Sequence, residues 1–353
     1  MLRKYLDKFY RLFSHDIGVD LGTANTLVYV RGEGIVINEP SIVAVNQKTG
    51  QVVAVGATAK DMLGRTPQHI RAVKPVVEGV ISDFEVTEEM MAYLLGSVAK
   101  SRNFVFGPRV VVGVPSGITN VEARAVRDVS KNIGAREVHI VEQPMAAAIG
   151  IKLPIFEPIG NMVIDIGGGT TDIAIISLGG VVGAKNIKIA GDRFNRDIIS
   201  YVRSEFKILI GENTAENVKI LIGSVTPLPA PLEAVIKGRD LVTGLPRETV
   251  ITDSDVREAL TPSVDILLET VREVLEQLPP EIVADVMQRG IYLTGGGALL
   301  KGLPALLEEF VGIAIHVSDD PLTAVARGTG IILEDFPRFK DVLVQGDDEL
   351  SKI

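Results

Sequence analysis

Residues 163–176 read VIDIGGGTTDIAII, with three consecutive glycines between two apolar runs. The pattern predicts a strand, a tight turn and a second strand. Because Gly167, Gly168 and Gly169 carry no Cβ, the backbone N–H groups of the turn can approach an anion closely. Asp165 would face the same site, where a carboxylate beside phosphate requires a cation such as Mg²⁺ between them. The stretch therefore predicts a metal–nucleotide site, with a plain glycine-rich hairpin as the alternative.

The same pattern occurs earlier, at residues 17–30, which read IGVDLGTANTLVYV. An apolar strand again ends in an aspartate, Asp20, and is followed by a small-residue turn and a second apolar strand. Two phosphate-binding hairpins predict a chain built from two related halves. The ligand-binding residues of this turn are expected to be Gly22, Thr23, Ala24 and Asn25.

A third glycine turn follows an apolar strand within residues 291–300, IYLTGGGALL. The residues after this turn are predicted to be helical, as expected for a nucleotide contact at a helix N-terminus. The predicted contacts are Gly295, Gly296, Gly297 and Ala298. Neither GxxxxGK[ST] nor GxGxxG occurs at any of the three turns, which disfavours P-loop and Rossmann folds.

Composition limits the remaining possibilities. At 353 residues the chain exceeds the usual size of one hydrophobic core, so at least two domains are expected. The net charge of −9 argues against general nucleic-acid binding, since no basic excess replaces phosphate counterions. Cysteine is absent, which excludes disulfides and thiolate metal sites. No apolar run of 18 or more residues occurs, and a cytoplasmic protein is expected.

In their order along the chain, these motifs resemble those of the actin superfamily, and within it the sequence is similar to the bacterial MreB/Mbl family. Residues 20–26 and 165–172 match the phosphate motifs, 143–150 (QPMAAAIG) the connecting motif and 293–299 the adenosine motif. Three further segments agree with the family: 34–41 (GIVINEPS), 112–117 (VGVPSG) and 321–328 (PLTAVARG). The likeness covers nearly the whole chain, and motifs this numerous and ordered are highly specific.

The resemblance implies an α/β, actin-like ATPase fold. Two duplicated ribonuclease-H-like halves would each carry a small inserted subdomain, with the nucleotide in the cleft between the halves. The expected divisions are an N-terminal helix at 1–14; subdomain IA at 15–41, 77–156 and 324–353; IB at 42–76; IIA at 157–192 and 255–323; and IIB at 193–254.

The resemblance also implies an ATP site with Mg²⁺ held by Asp20 and Asp165, mainly through water, and with Thr170 bonded to the attacking water. The family usually has Glu before the proline of the connecting motif, where this chain has Gln143. A glutamine can orient water but cannot accept its proton. The adjacent Glu142 is a poor substitute, because neighbours in an extended segment point to opposite sides.

Two predicted helices bear on the site and its surroundings. The helix over 214–221 carries Glu216 and Lys219 on one face, which by the resemblance contact ribose and adenine; the alternative is a solvated ion pair. A longer helix over about 256–278 is expected to be capped at 253–255 and interrupted by Pro262.

Two segments indicate membrane contact. Within residues 2–13, apolar residues recur at spacings of three and four, with basic residues on the other side, which predicts a helix lying on a membrane surface. The alternative is a helix packed on its own domain. Phe104–Phe106 place apolar side chains in a predicted loop, which by the resemblance inserts into the membrane; the alternative is a loop packed into the core.

Three classes of function fit the fold. The first is a slow ATPase that polymerises into paired protofilaments on the inner face of the cytoplasmic membrane and guides the cell-wall elongation machinery of a rod-shaped bacterium. The second is a small-molecule kinase, which requires an aspartate base and an acceptor cleft. The third is a chaperone ATPase, which is expected to continue into a substrate-binding domain. The basic amphipathic N-terminus favours the filament protein.

Overall fold

A computed structural model of the chain describes residues 16–100 and 107–344. These residues divide into two compact units. One contains the described residues up to Pro158, Ile176–Val182 and those from Thr323; the other contains Ile159–Ile175 and Gly183–Leu322. The helix predicted at 1–14 and the loop predicted at Phe104–Phe106 lie outside the described residues.

The first large sheet has five strands. They are β1 (Ile17–Leu21), β2 (Asn25–Val30), β3 (Gly34–Pro40), β9 (Arg109–Val114) and β10 (Glu137–Glu142). Their order across the sheet is β10-β9-β1-β2-β3. Strand β1 runs antiparallel to β2 and parallel to β9, with Asp20 beside Gly113. The predicted hairpin of residues 17–30 is therefore present, with Asp20 near the end of its first strand.

The second large sheet repeats this arrangement. Its strands are β11 (Asn161–Ile166), β12 (Thr171–Ser177), β13 (Gly180–Ile187), β17 (Ile291–Thr294) and β18 (Ile315–Val317). Their order is β13-β12-β11-β17-β18, which is the order of the first sheet read from its other edge. Strand β11 runs parallel to β17, with Asp165 beside Thr294. The shared strand order confirms the duplication predicted from the two hairpins.

Smaller sheets interrupt both halves between their third and fourth strands. In the first half they are built from β4 (Val43–Asn46), β5 (Val52–Val55), β6 (Ile70–Val73), β7 (Val76–Val77) and β8 (Val80–Ile81). In the second half they are built from β14 (Ile208–Leu209), β15 (Glu233–Asp240) and β16 (Pro246–Thr252).

Helices surround these sheets. They are α1 (Ala57–Asp61), α2 (Phe84–Lys100), α3 (Asn120–Asn132), α4 (Gln143–Gly150), α5 (Gly191–Tyr201), α6 (Glu212–Ile222), α7 (Asp253–Glu276), α8 (Pro280–Arg289), α9 (Leu303–Val311), α10 (Ala324–Glu334) and α11 (Phe336–Phe339). A π-helical turn, Val202–Phe206, follows α5, and 3₁₀ turns lie at Gly296–Leu299 and Lys340–Val342. Every residue of β9, β11 and β12 is buried, as expected for apolar strands covered on both faces.

The start of α7 differs from the prediction. Thr252, and not the segment 253–255, is the N-cap: its hydroxyl accepts the Asp255 N–H at 3.2 Å, while the Asp255 carboxylate accepts the Thr252 N–H at 2.8 Å. The interruption predicted at Pro262 is also wrong, since the helix continues through it. Leu260 and Val264 are buried on either side of the proline, and this packing offsets the missing backbone hydrogen bond.

Helices α4 and α10 pack backbone to backbone. A Cβ added at Gly328 of α10 would collide with the Ala146 carbonyl oxygen of α4. A Cβ added at Gly150 would collide with the Ala324 carbonyl oxygen. Only glycine permits this approach. The contact fixes α4, and with it Gln143 at the first position of that helix.

Candidate functional site

The first half of the site is centred on Asp20. Its Oδ1 accepts a hydrogen bond from Gln143 Nε2 at 3.1 Å, so the connecting motif reaches the end of β1. Burial raises the pKa of Asp20 to about 6, and the Gln143 hydrogen bond lowers it in part. A bound cation would stabilise the ionised carboxylate and so lower this pKa, which fits the predicted role of Asp20 near a metal.

The turn after Asp20 is held from behind by Ser41. The Ser41 hydroxyl donates to the Gly22 carbonyl at 2.6 Å, and the Ser41 N–H donates to the Ala24 carbonyl at 2.9 Å. The Thr23 hydroxyl accepts the Gly79 N–H at 3.0 Å, and the Asn25 side chain donates to Asn38 at 2.8 Å. These contacts use the turn's carbonyls and side chains to shape it. Backbone N–H groups are therefore the groups of this turn best suited to a phosphate.

Sequence reasoning did not assign Ser41 a role. Ser41 is the last residue of the family segment 34–41 (GIVINEPS), but a serine hydroxyl alone does not indicate which group it contacts. Its contact with the turn depends on the pairing of β2 with β3, in which Asn25 lies opposite Pro40. The supporting position could be found only from that register.

The second turn is fastened to the start of α5. Gly167 N–H donates to the Thr170 carbonyl at 2.9 Å and closes the turn. Gly191 N–H then donates to the Gly167 carbonyl at 3.1 Å, and Asp192 N–H donates to the Gly168 carbonyl at 2.7 Å. The carbonyls of this turn are thus bonded to protein, as they are in the first turn. Sequence reasoning did not include Gly191 or Asp192 in the site.

Thr170 lies at the end of the second turn and is buried. Its hydroxyl contacts a buried carboxylate: Thr170 Oγ1 donates to Asp172 Oδ2 at 3.3 Å. The other oxygen of that carboxylate, Oδ1, accepts from Asn186 Nδ2 at 3.0 Å. Neither Asp172 nor Asn186 was predicted as a site residue. Asp172 belongs to the stretch 163–176, but the alternation of side-chain direction along a strand does not show which groups would bond to it.

The third turn lies directly against the second. Gly295 has a φ of 78°, and a Cβ there would collide with Asp165 Oδ1 and with the Ile166 carbonyl. A Cβ at Gly297 would collide with the Ile166 side chain. The N–H of Gly295 donates to the Pro321 carbonyl at 2.9 Å. Gly295 and Gly297 therefore serve close packing around Asp165 and Ile166 as well as any ligand contact. The 3₁₀ turn Gly296–Leu299 begins within the glycine run.

Lys219 connects α6 to the second turn. Its Nζ donates to the Gly191 carbonyl at 3.0 Å, and Gly191 in turn bonds to Gly167. Glu216, three residues earlier on α6, is half-buried. The predicted adenosine residue Lys219 and the predicted phosphate turn are thus joined within one unit through the first residue of α5.

Asp20 and Asp165 are single carboxylates, each within its own half. Within residues 16–100 and 107–344, no group of three His, Cys, Asp or Glu side chains could hold a metal ion. Mg²⁺ normally takes one or two carboxylates and completes its shell with water and phosphate oxygens. The residues present fit that mode of binding. When bound, the ion would neutralise charge that develops on the phosphate.

The neighbours Glu142 and Gln143 point to different partners. Glu142 accepts the Gly117 N–H at 3.3 Å, whereas Gln143 donates to Asp20. This agrees with the expectation that Glu142 is a poor substitute for a glutamate at position 143.

Comparison with known proteins decides the family. The model of the family described as MreB/Mbl protein matches residues 14–341. The chain belongs to the MreB/Mbl family. The cell shape-determining protein MreB of Escherichia coli strain K12 is 50% identical over 333 residues, covering 93% of this chain and 96% of that protein.

Solved structures of the MreB/Mbl family have the same fold. MreB5 of Spiroplasma citri bound to ADP superposes with a TM-score of 0.89 at 39% identity, covering 93% of this chain and 98% of that one. The same protein bound to AMPPNP gives 0.87 at 40% identity with the same coverage. The MamK double helical filament, at 22% identity, shares the fold with a TM-score of 0.77 over 91% of this chain and 99% of that one. The predicted α/β, actin-like fold with two duplicated halves is confirmed.

One further property concerns membranes. Within the part of the chain that the structure describes, no helix is both long enough and apolar enough to cross a bilayer.

Proposed function

We propose that this chain is an ATP-dependent cytoskeletal filament protein that determines cell shape. The observation that carries the proposal is the pair of hydrogen-bonded turns after Asp20 and Asp165, in a chain of the MreB/Mbl family. The relative from Escherichia coli is named a cell shape-determining protein. We therefore assign to this chain self-assembly into paired protofilaments in the cytoplasm.

The nucleotide is proposed to bind at the three glycine turns. Backbone N–H groups of residues 22–25, Gly168 and Gly169 would contact the phosphates, whereas the Gly167 N–H is bonded to the Thr170 carbonyl and shapes the turn. Glu216, Lys219 and residues 295–298 would contact the adenosine. Asp20 and Asp165 would hold Mg²⁺, mainly through water. Support comes from MreB5, which is seen with ADP and with AMPPNP. The subdomain divisions predicted above are retained as part of this proposal.

ATP hydrolysis is proposed to be slow and coupled to polymerisation. Gln143 commits its amide N–H to Asp20, which leaves its carbonyl oxygen as the acceptor for a water. The Thr170 hydroxyl oxygen would be the second acceptor. A water that donates to two acceptors directs a lone pair toward the γ-phosphate. Gln143, however, cannot take the proton that this water loses. Orientation without a base accounts for a slow reaction.

The direct test of nucleotide binding is Gly168→Val, which adds a side chain where phosphate must approach. ATP affinity should fall by at least about 100-fold, because the N–H groups could no longer reach the phosphate. Gly96→Val is the matched control, since a Cβ at Gly96 meets no atom within 4 Å and the residue lies in α2. Isothermal titration with ATP would measure both variants. Unchanged affinity in a correctly folded Gly168→Val protein would remove the proposal.

Electron microscopy of the purified protein with ATP tests the filament. Paired protofilaments should form with the wild type and with Gly96→Val, and should be absent with Gly168→Val. The alternative function, an actin-fold small-molecule kinase, predicts no filament under any of these conditions.

Membrane and cell-wall contacts complete the proposal. Residues 2–13 and Phe104–Phe106 would bind the inner face of the cytoplasmic membrane, where the filament would organise the cell-wall elongation machinery; no nucleic-acid partner is proposed. Deleting residues 2–13 should strongly reduce co-sedimentation with anionic liposomes, because each fully buried apolar side chain contributes roughly 1.5–3 kcal/mol. If neither this deletion nor mutation of Phe104–Phe106 changes sedimentation, the membrane role is wrong.

A further inference from the structure

Asp172 is a buried carboxylate to which the proposed hydrolysis, through Gln143 and Thr170, assigns no role. It lies in β12 with 1% of its surface exposed, and the four residues that follow it, Ile173–Ile176, are apolar. A buried carboxylate is costly unless hydrogen-bond donors surround it. Two side chains donate to it, Thr170 to Oδ2 and Asn186 to Oδ1.

The backbone explains why these groups meet. Thr170 and Asp172 are two residues apart in an extended segment, so their side chains lie on the same face. Thr171, between them, points the other way, and its hydroxyl donates to the Ile189 carbonyl at 2.5 Å. Asn186 comes from β13, the neighbouring strand of the sheet. The contact is therefore specified by the strand pairing and the register of β12.

The contact fixes the direction of the Thr170 hydroxyl. Thr170 Oγ1 is the donor in this bond, so the Thr170 proton is directed at Asp172. The remaining lone pairs of Oγ1 can then only accept a hydrogen bond from another group. A water next to Thr170 must donate to it, and cannot instead receive a hydrogen bond from it.

We infer that Asp172 is a positioning residue for hydrolysis, acting through Thr170, and that Asn186 holds the Asp172 carboxylate in place. The inference rests on the proposed ATPase function and adds two residues to it. Asp172 makes no bond to the reacting atoms; it orients the hydroxyl that orients the water. Loss of this orientation should slow phosphate release and leave ATP affinity almost unchanged, because the phosphate contacts come from the backbone.

The decisive experiment is a double-mutant cycle on the full-length protein. Single-turnover phosphate release at saturating ATP would be measured for wild type, Asp172→Asn, Thr170→Val and the double variant. In Asp172→Asn, Asn186 still donates to the side-chain oxygen at 172, so the amide N–H at 172 faces Thr170 and reverses the direction of its hydroxyl. Release should slow by about 10- to 100-fold, with ATP affinity within about 3-fold of wild type. In the Thr170→Val background, Asp172→Asn should have no further effect on the rate, because the group through which it acts is gone.

A swapped pair provides the rescue. In Asp172→Asn combined with Asn186→Asp, the new amide can donate to the carboxylate at 186 and still accept from Thr170. Release should recover to within about 5-fold of wild type. Asp253→Asn is the control for loss of a buried carboxylate, since Asp253 is also buried and accepts the Leu232 N–H at 2.9 Å. It should lower thermal stability and leave the rate unchanged.

Three outcomes would count against these assignments. If Asp172→Asn slows release by the same factor with and without the Thr170 hydroxyl, Asp172 does not act through Thr170 and the inference is overturned. A swapped pair as slow as Asp172→Asn would overturn the role of Asn186. Absence of phosphate release from the wild type would overturn the proposed ATPase and this inference together, which separates that failure from the other two.

Discussion

The two phosphate turns have the same strand order around them but use their threonine hydroxyls differently. In the first turn, Thr23 accepts the backbone N–H of Gly79, so the hydroxyl supports the fold. In the second turn, Thr170 donates to a buried carboxylate, which leaves its oxygen able to accept from a ligand. The two hairpins thus share a strand order but differ in whether the threonine hydroxyl accepts from the backbone or donates to a side chain.

The carboxylates that precede the turns differ in the same way. Asp20 is bonded to Gln143, a side chain from another element of its half. Asp165 lies against the backbone of Gly295, so close that a Cβ there would collide with it. The environment of Asp20 can therefore be changed by mutating Gln143, whereas Asp165 lies against the backbone of Gly295, which a mutation does not remove. Mutations should affect the two halves unequally.

The largest expected difference is between the two threonines. Thr170→Val should slow single-turnover phosphate release by about 100-fold, because the water loses one of its two acceptors. Thr23→Val should change the rate much less, but should lower the free energy of unfolding by about 1–3 kcal/mol, because the Gly79 N–H loses its acceptor. Stopped-flow phosphate detection and urea unfolding would measure both. Equal rates for the two variants would remove the distinction between the turns.

A pH-dependent difference is expected at Asp20. Its pKa is about 6 in the folded protein against an ordinary 3.8, so the folded state holds the proton more tightly and stability falls as the pH rises between these values. Asp20→Asn should therefore be more stable than wild type at pH 7, by about 1–3 kcal/mol, and nearly equal to it at pH 3.5. The measurement is urea unfolding without nucleotide and Mg²⁺. An equal gain in the free energy of unfolding at both pH values would contradict the raised pKa of Asp20. Asp165→Asn is the corresponding variant in the other half.

Metal binding should depend on the same group. Because Asp20 must ionise to approach Mg²⁺, affinity for ATP with Mg²⁺ should fall as the pH is lowered from 7 to 5. Removing Mg²⁺ with a chelator should abolish most of this pH dependence. An affinity that is independent of pH in both conditions would exclude Asp20 from the metal site.

The next effect concerns Gln143. Gln143→Ala should slow phosphate release about 10-fold, and Gln143→Glu should accelerate it, because a carboxylate can also accept the proton of the water. In the absence of Mg²⁺, Gln143→Glu should destabilise the protein, since the new carboxylate would lie where Nε2 now bonds Asp20 at 3.1 Å. Single-turnover kinetics and an ATP titration would test both effects. If Gln143→Ala hydrolyses ATP as fast as wild type, the residue has no part in catalysis.

The smallest difference is expected between glycines of the two turns. A Cβ at Gly22 would lie 2.6 Å from the Asn25 carbonyl oxygen, whereas at Gly167 it would lie 3.2 Å from the Thr170 carbonyl oxygen. Gly22→Ala should therefore lower the free energy of unfolding by about 1–3 kcal/mol, and Gly167→Ala by less than about 1 kcal/mol. Chemical denaturation would rank them. The reverse order would show that the second turn is the more tightly packed one.

Much of this architecture was predictable from local pattern. The hairpins around Asp20 and Asp165 follow from the two apolar runs in each stretch and from the placement of the glycines between them. Pro262 misled the prediction because tertiary packing outweighed a local helix-breaking preference. Ser41, Asp172 and Asn186 could not be assigned because their contacts depend on strand register, which the sequence pattern does not specify.

The close approach of α4 and α10 has a consequence for how the chain is made. Gln143 takes its position from a helix that packs on Gly328, and β1 packs on the same partner through Gly18 and Thr329. When residues 1–320 have emerged from the ribosome, the first sheet and α4 are therefore present without α10, the helix that packs on them. By then it has synthesised nearly all of the unit that spans Ile159–Ile175 and Gly183–Leu322. The unit that contains Asp20 is therefore completed after the other unit, and we expect the Asp20–Gln143 contact to form fully only once residues 324–334 have emerged from the ribosome.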